Sequence, residues 1–392
     1  MATKAADLAD IYQEKTDIEH ILDAPDTYIG SIESDKVSNW VLDDEDNMKY
    51  KEYDFIGGLY KCFDEGIVNC RDHAVRLMQK IIKKEKRIIP VRNIDISVDR
   101  ETGVITMTND GNGVDVAKHP DNDLWIPEMI FGHLRTSTNY KKDEKKIVGG
   151  KNGFGFKLVL IYSKWGEIET VDHIRKLKYT QRFENNLTDI LPPKVKTSKT
   201  RPYTKVRWLP DYERFGLEGL TDDMFNLFKK RTFDIGVVTE KSIKVTFNGK
   251  AVPNKSFEQY MDIYIGSKAE TERVYESTHD RWEIGACLSP LDEFTQVSYV
   301  NGVNTSKGGK HIDNILNQIV KKMIIYIEKR KKVKVKPATI KEQLMLFVNC
   351  VVENPSFDSQ TKETMNTPVS KFGSKCVVND DFIEKIIKLG VM

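Results

Sequence analysis

Residues 149–157 read GGKNGFGFK, and this glycine-rich stretch decides the fold. Glycine allows positive φ angles and lets backbone N–H groups come close to phosphate oxygens. A P-loop is disfavoured, because Gly150-Lys151 is followed by Asn152 where that motif needs Ser or Thr. A Rossmann loop is disfavoured as well, because the spacing is G-x-x-G-x-G and the stretch lies late in its domain. Neither of the commoner phosphate-binding loops therefore describes this stretch.

A second glycine cluster, NDGNG at residues 109–113, lies upstream. It follows a predicted hairpin, in which alternating apolar residues mark a strand over residues 93–98 and a returning strand over residues 104–108. Asn, Asp and Gly are the usual residues of tight turns. Taken alone, the cluster is either a plain turn or a ligand-binding loop.

A long amphipathic helix is predicted from residue 55 to about residue 82, because its apolar residues recur at intervals of three and four. Glu65, Asn69 and Asp72 share the face opposite this apolar stripe. One interpretation is a solvent-exposed helix face. The other is a carboxylate placed to activate water, with a carboxamide oxygen one turn away for a hard cation such as Mg²⁺. The helix alone does not decide between them.

The composition is that of an ordinary globular protein, with 392 residues and 61 Lys and Arg against 59 Asp and Glu. This length predicts two or three domains of mixed α and β structure. The formal charge of +2 excludes a strongly polycationic nucleic-acid binder but leaves local basic patches open, such as residues 329–336. Pro253, shortly after an Asn-Gly turn, marks the expected domain boundary.

The sequence predicts a protein of a reducing compartment without a membrane span. Its longest nearly apolar run, residues 344–352, is too short for a spanning helix, and acidic residues near the N-terminus exclude a secretory signal. An odd number of cysteines without a CxxC pair argues against a disulfide framework or a zinc site. The cysteines are Cys62, Cys70, Cys287, Cys350 and Cys376.

The order of these segments, from the acidic helix through the two glycine clusters, resembles the Bergerat (GHKL) ATP-binding fold. Type IIA DNA topoisomerases, MutL repair proteins, a class of heat-shock chaperones and histidine kinases share that fold. Further motifs resemble topoisomerase II of eukaryotic or viral type, and the resemblance covers nearly the whole chain. They are IYQ at residues 11–13, PDTYIGS at 25–31, FDE at 63–65, TSTNY at 136–140, VSYVNG at 297–302, TSKGG at 305–309 and ENPSFDSQTK at 353–362.

The resemblance implies an α+β protein. A GHKL α/β sandwich ATPase domain with an N-terminal strap would occupy residues 1–253, and a smaller βαβ transducer domain would occupy residues 254–392. ATP and Mg²⁺ are the implied ligands. Glu65 would be the general base that activates the attacking water, and Lys362 would stabilise charge on the γ-phosphate. Asn69 would offer an oxygen to Mg²⁺, and Asn109 would accept a hydrogen bond from the adenine amino group.

The same resemblance implies the other nucleotide-binding residues. Ser137, Thr138 and Asn139 would contact ribose and phosphate, while Gln360 and Thr361 would join Lys362 in the γ-phosphate loop. A lid over the phosphates would consist of Gly150, Lys151, Asn152, Gly153, Phe154, Gly155, Phe156 and Lys157. Three positions depart from the common family residue: Asn109 replaces Asp, Lys151 replaces Arg, and Phe156 replaces a small residue.

Homodimerisation on ATP binding and sequence-independent contact with double-stranded DNA are the implied interactions. Tyr12 would belong to the strap that reaches the partner subunit's nucleotide, and Lys307 and Lys310 would line a DNA cavity. An intracellular location is implied, in the nucleus or, for a viral protein, in the host cytoplasm. The DNA-cleaving segments are not found in the sequence, so we expect an ATPase and clamp that does not pass strands.

Two alternatives stay open at this stage. A MutL-like repair protein or a heat-shock chaperone would share the ATP-binding fold, although the stretches around Gln360 and Lys307 count against both. A DNA clamp that binds nucleotide with negligible hydrolysis would share the interactions and lack the enzymatic activity.

Overall fold

The described residues form two helix-backed β-sheets and a separate two-stranded antiparallel sheet of residues 35–42 and 48–55, so the predicted α+β class is confirmed. The computed structural model describes residues 15–134, 136, 147–148, 155–253 and 256–391. Within these ranges the α-helices are α1 (Asp17–Asp23), α2 (Pro25–Tyr28), α3 (Gly57–Ile82), α4 (Ile126–Gly132), α5 (Gly155–Ile161), α6 (Asp222–Val237), α7 (Phe257–Ile265), α8 (Lys310–Lys331), α9 (Pro337–Glu342) and α10 (Asp380–Lys388).

The strands follow the alternating apolar patterns of the sequence, and short 3-10 helices lie at Tyr212–Phe215 and Val369–Lys371. They are β1 (Asp35–Leu42), β2 (Met48–Phe55), β3 (Asn93–Val98), β4 (Ile105–Asp110), β5 (Ser163–Asp172), β6 (Leu177–Glu184), β7 (Asp189–Ile190), β8 (Lys194–Thr197), β9 (Tyr203–Pro210), β10 (Lys244–Phe247), β11 (Lys250–Ala251), β12 (Val274–His279), β13 (Trp282–Leu288), β14 (Thr295–Val300), β15 (Val303–Asn304) and β16 (Leu344–Cys350).

The larger sheet has the order β11-β10-β3-β4-β9-β5-β6-β7, with β8 paired to β6. The predicted hairpin at its centre is confirmed: β3 and β4 pair antiparallel, and Ile94, Ile96 and Val98 of β3 are buried. Helices α3, α5 and α6 cover one face of this sheet. The rings of Phe63 on α3 and Phe228 on α6 stack 4.2 Å apart.

Helix α3 is buried on nearly all sides along its first half, because α5 and α6 pack against it in addition to the sheet. The solvent-exposed interpretation of its polar face is therefore wrong. Glu65 is 3% exposed and Asp72 is 0% exposed, while Asn69 is half-buried. Burying a carboxylate is costly unless partners compensate its charge, so these positions require partners or a ligand.

The second sheet has the order β12-β13-β16-β14-β15 and packs one face against α8 and α10. Its other face joins the core of the first sheet through Tyr299, Phe347 and the tyrosines of α7. The apolar stripe predicted for the long helix after residue 311 lies on α8 and is buried. The expected boundary at residue 253 is thus crossed by continuous apolar packing.

Among the residues that the structure describes, none of the helices is long and apolar enough to cross a membrane. The five cysteines are buried free thiols. Burial raises the pKa of Cys70 to about 12.

Candidate active site

A cavity of about 390 Å³ opens between α3, the end of β4 and the loop that follows β16. It joins residues from widely separated parts of the chain, because α3 lies across the sheet and the later loop folds back onto the helix. The residues named from the sequence that line it are Glu65, Asn69, Asn109, Gly155, Phe156, Lys157, Gln360 and Lys362.

Two ammonium groups flank the carboxylate of Glu65 in this cavity. Lys362 Nζ donates to Glu65 Oε1 at 3.0 Å, although the two residues are 297 positions apart. Lys61 Nζ lies 2.7 Å from the same oxygen, one helical turn before Glu65. Lys362 has φ 62°, a left-handed conformation that is unfavourable for lysine, so the surrounding loop imposes it.

The electrostatics keep Glu65 ionised. Burial alone would raise the pKa of this carboxyl, but the charges of Lys362 and Lys61 outweigh it and lower the pKa to about 2. Burial would also lower the pKa of Lys61, yet the neighbouring carboxylates Glu65 and Asp64 raise it instead. Glu65, Lys61 and Lys362 therefore form a buried cluster in which two side-chain nitrogens share one carboxylate oxygen.

Gly155, the first residue of α5, lies against this cluster. A Cβ atom at that position would stand 2.8 Å from Glu65 Oε2 and 3.5 Å from Asn69 Nδ2. A glycine is therefore needed for the helix N-terminus to approach the two side chains. N–H groups at a helix start favour anions.

Asn109 is the penultimate residue of β4 and is buried at the cavity wall. Its Nδ2 donates to the carbonyl of Asp110 at 3.1 Å, so its carbonyl oxygen is the acceptor that remains for a ligand. Asp110 itself accepts backbone N–H bonds from Arg92 and Asn93 and holds the start of β3. The NDGNG cluster thus serves both as a turn and as part of the cavity wall.

Phe156 and Lys157 follow Gly155 and differ in what they contact. The Phe156 ring packs edge-on against Phe131 and Trp208, which places a large apolar residue at the cavity floor. Lys157 Nζ donates to the carbonyl and, at 2.8 Å, the hydroxyl of Thr136. Burial lowers the pKa of Lys157 to about 8.

Three further residues named from the sequence lie away from the cavity. The side chain of Thr361 packs toward Gly30, while Lys307 and Lys310 are exposed and pair with Glu363 and Asp313. The others fall outside the described residues. They are Tyr12, Ser137, Thr138, Asn139, Gly150, Lys151, Asn152, Gly153 and Phe154.

Lys61 and Arg231 belong to the site but were not predicted from the sequence. Lys61 could have been found from the sequence, because it stands four residues before Glu65 on the same helix and has the opposite charge. No sequence pattern indicates Arg231. It is 0% exposed on α6, and its Nε donates to Asp64, the neighbour of Glu65, at 2.6 Å. Burial of so large a cation beside α3 follows only from the packing of the two helices.

Comparisons with known proteins point to one family. Residues 254–389 match the DNA gyrase B family. DNA topoisomerase 2 of Acanthamoeba polyphaga mimivirus is 43% identical over 97% of this chain and 30% of its own length. The Saccharomyces cerevisiae enzyme of the same name is 38% identical over 99% of this chain and 28% of its own length. The chain thus spans less than a third of these relatives.

Solved structures match the chain from end to end. The crystal structure of the ATPase region of Saccharomyces cerevisiae topoisomerase II has a TM-score of 0.89 and 39% identity, and the match covers 97% of this chain and 98% of that one. The ATPase and transducer domains of DNA topoisomerase II from Balamuthia mandrillaris give a TM-score of 0.89 and 37% identity, covering 97% and 95%. The chain therefore belongs to the type II DNA topoisomerase family, in which it corresponds to the ATPase region.

Proposed function

We propose that this chain binds ATP in the cavity beside α3 and hydrolyses it with Glu65 as the general base. The contact of 3.0 Å between Lys362 and Glu65 carries the proposal. It brings a carboxylate and an ammonium group, both buried, to one point of a cavity large enough for a nucleotide. Phosphoryl transfer needs a base for water and a cation for the charge that develops on the phosphate.

In this mechanism Glu65 orients the attacking water and accepts its proton, while Lys61 remains its ion-pair partner. The side chain of Lys362 moves from Glu65 to the terminal phosphate and its ammonium group stabilises the charge there. Gln360, which lines the cavity, and the adjacent Thr361 belong to the same loop. Because the loop belongs to the second half of the chain, loss of the terminal phosphate would change the contact between the two halves.

The remaining binding roles are assigned by the same proposal. Asn109 accepts from the adenine amino group, and Gly155 offers its helix N-terminus to the phosphates beside Phe156 and Lys157. Ser137, Thr138, Asn139 and residues 150–154 complete the ribose and phosphate contacts. The described residues hold no cluster of three or more metal-binding side chains. Asn69 would hold Mg²⁺ together with phosphate oxygens, and the ion would neutralise phosphate charge.

We further propose that residues 1–253 act as the ATPase domain and residues 254–392 as the transducer of a dimeric DNA clamp. ATP would bring two copies together, with Tyr12 reaching the partner's nucleotide. Lys307 and Lys310 are exposed, as a contact with DNA phosphates requires. The location proposed is intracellular, in the nucleus or in the cytoplasm of a host.

The substitution Glu65→Ala tests the catalytic assignment. We expect kcat for ATP hydrolysis to fall by about 10²- to 10⁴-fold, the usual contribution of a general base, while nucleotide-dependent dimerisation survives. Steady-state phosphate release would measure hydrolysis, and light scattering would measure dimerisation through the molar mass. Turnover that persists in the variant would remove Glu65 from the mechanism, and negligible turnover in the wild type would favour a non-hydrolysing clamp.

A further inference from the structure

The tight turn between β14 and β15 connects the second sheet to the helix that carries Glu65. It consists of Asn301 and Gly302, with φ 52° and 79°. Both residues are buried, and Asn301 is 0% exposed. A buried hairpin turn has backbone carbonyls that need partners from outside the hairpin.

Two arginines, on the helices α3 and α6 that cover the first sheet, provide these partners. Arg71 Nη1 donates to the carbonyl of Asn301 at 2.7 Å, and Arg231 Nη2 donates to the carbonyl of Gly302 at 2.7 Å. Arg71 lies on α3 itself, and Arg231 also holds Asp64 of α3. A side chain at position 302 would collide with Arg71, so the turn is fitted closely to these guanidinium groups.

The side chain of Asn301 continues the connection toward Lys362. Its Nδ2 donates to the carbonyl of Val352 at 2.9 Å, and its Oδ1 accepts from the N–H of Val352 at 2.9 Å. Val352 begins the segment that runs to Lys362. The far end of that segment is anchored too, since Met365 N donates to Gly308 O at 3.0 Å.

We propose that Asn301 is a positioning residue for Lys362. Its carboxamide fixes the start of the loop, and the two arginines fix Asn301 on α3, so the distance between Lys362 and Glu65 is set from both sides. The inference rests on the proposed role of Lys362 in hydrolysis. Misplacing a reacting group by about 1 Å can cost about 10²-fold in rate, which makes such a fixed frame consequential.

The chain contains a matched control for this residue. Asn248 also begins an Asn-Gly turn, with φ 46° followed by 80° at Gly249. It makes the same pair of bonds to one backbone residue: Val98 N donates to its Oδ1 at 2.8 Å, and its Nδ2 donates to Val98 O at 3.0 Å. Asn248 is exposed and joins strands of the first sheet only, so it has no path to Lys362.

The experiment compares Asn301→Gly with Asn248→Gly in the full chain. Glycine keeps the positive φ angle in both turns and removes only the carboxamide. For Asn301→Gly we expect kcat for ATP hydrolysis to fall by about 10- to 100-fold with KM and nucleotide affinity within about twofold, and for Asn248→Gly no change in kcat. Thermal melting identifies the folded fraction, so rates are compared per folded molecule.

A double variant separates positioning from a loss of structure. If Asn301 acts through Lys362, adding Asn301→Gly to Lys362→Ala should lower kcat no further than Lys362→Ala alone. If the double variant instead lost the product of the two single-variant factors in kcat, the inference would be overturned. An unchanged kcat in Asn301→Gly would overturn it as well. If Asn301→Gly does not fold, Arg71→Lys tests the same connection and should lower kcat. A normal kcat in Lys362→Ala would instead overturn the proposed function.

Discussion

The pKa of Glu65 determines how well its carboxylate can serve as a base. While the ammonium groups of Lys362 and Lys61 both contact it, the pKa of Glu65 is lowered to about 2 and the carboxylate is a weak proton acceptor. A terminal phosphate that attracts Lys362 would remove one of these charges and raise the pKa of the carboxyl. Arrival of the complete triphosphate would thereby make Glu65 more basic, and a nucleotide without the terminal phosphate would leave the ion pair in place.

The same ion pairs predict a pH dependence of stability. Glu65 has a folded pKa of about 2 against an ordinary value of 4.5, so its ionisation stabilises the folded state above pH 4.5. That contribution is lost as the pH falls toward 2. In Glu65→Gln the buried ammonium group of Lys362 loses its carboxylate partner and Lys61 keeps only Asp64, at 3.6 Å. Breaking a buried ion pair in this way costs about 3–5 kcal/mol near neutral pH.

Chemical denaturation of the wild type and Glu65→Gln between pH 7 and pH 3 would measure this effect. The difference in their free energies of unfolding should shrink below pH 4.5, because the wild-type carboxyl begins to protonate on unfolding. A difference that stays constant down to pH 3 would show that the ion pairs do not depress the pKa of Glu65.

The sequence predicts the candidate catalytic residues better than their surroundings. Glu65 and Asn69 are visible as a helical pair, and the motif around Lys362 indicates its loop. Neither the local pattern nor the composition shows that the two side chains meet, since 297 residues separate them. Helical spacing also favours an exposed polar face, and only the packing of α5 and α6 buries Glu65.

At the scale of elements, the start of α5 can approach Glu65 because its first residue, Gly155, has no side chain. Gly155→Ala would place a methyl group 2.8 Å from Glu65 Oε2. Glu65 cannot move aside freely, because Lys61 and Lys362 hold its other oxygen. We therefore expect kcat for ATP hydrolysis to fall by about 10- to 100-fold, as for a misplaced reacting group.

Gly219→Ala is the control for this substitution. A Cβ atom at position 219 would meet nothing within 4 Å, so the added methyl group should leave kcat unchanged. Steady-state hydrolysis by both variants, with thermal melting to confirm folding, makes the comparison. Equal rates in Gly155→Ala and the wild type would mean that α5 can withdraw from Glu65 without loss of function.

The elements themselves follow the sequence where periodicity is strong. The stripe of α3 and the alternation of β3 predict those elements within about two residues of their bounds in the structure. Arg231 shows the limit of such predictions. Residues 229–231 of its helix are three consecutive basic residues, yet the side chain of Arg231 is wholly buried between α3 and the β14–β15 turn. Tertiary contacts decide which of several similar residues is buried.

At the scale of the whole molecule, the loop of Lys362 also contacts the turn that carries Lys307, one of the two lysines proposed to contact DNA. Lys307 N donates to Glu363 O at 3.1 Å, and Lys307 Nζ lies 2.9 Å from the Glu363 carboxylate. Glu363 directly follows Lys362 in the chain. A DNA phosphate that attracts Lys307 would weaken its pairing with Glu363, so DNA and nucleotide would act on adjacent residues of one loop.

This arrangement predicts that duplex DNA stimulates ATP hydrolysis and that salt removes the stimulation. Phosphate contacts release counterions, so their strength falls steeply as the salt concentration rises. Hydrolysis rates with and without a duplex, measured from about 50 to 200 mM salt, should converge at the upper end. A stimulation that is flat across this range would exclude an electrostatic contact with DNA.

The substitution Lys307→Ala assigns that response to a residue. It removes an exposed charge from the turn, so the ratio of DNA-stimulated to unstimulated hydrolysis should fall and its dependence on salt should become weaker by about one phosphate contact. Lys268→Ala is the matched control. Lys268 is an exposed lysine on the connection after α7, and it also pairs with a carboxylate, that of Glu258. Equal losses of stimulation in the two variants would mean that net charge, and not the turn at Lys307, carries the response, whereas a loss confined to Lys307→Ala places DNA within reach of the loop that holds Lys362.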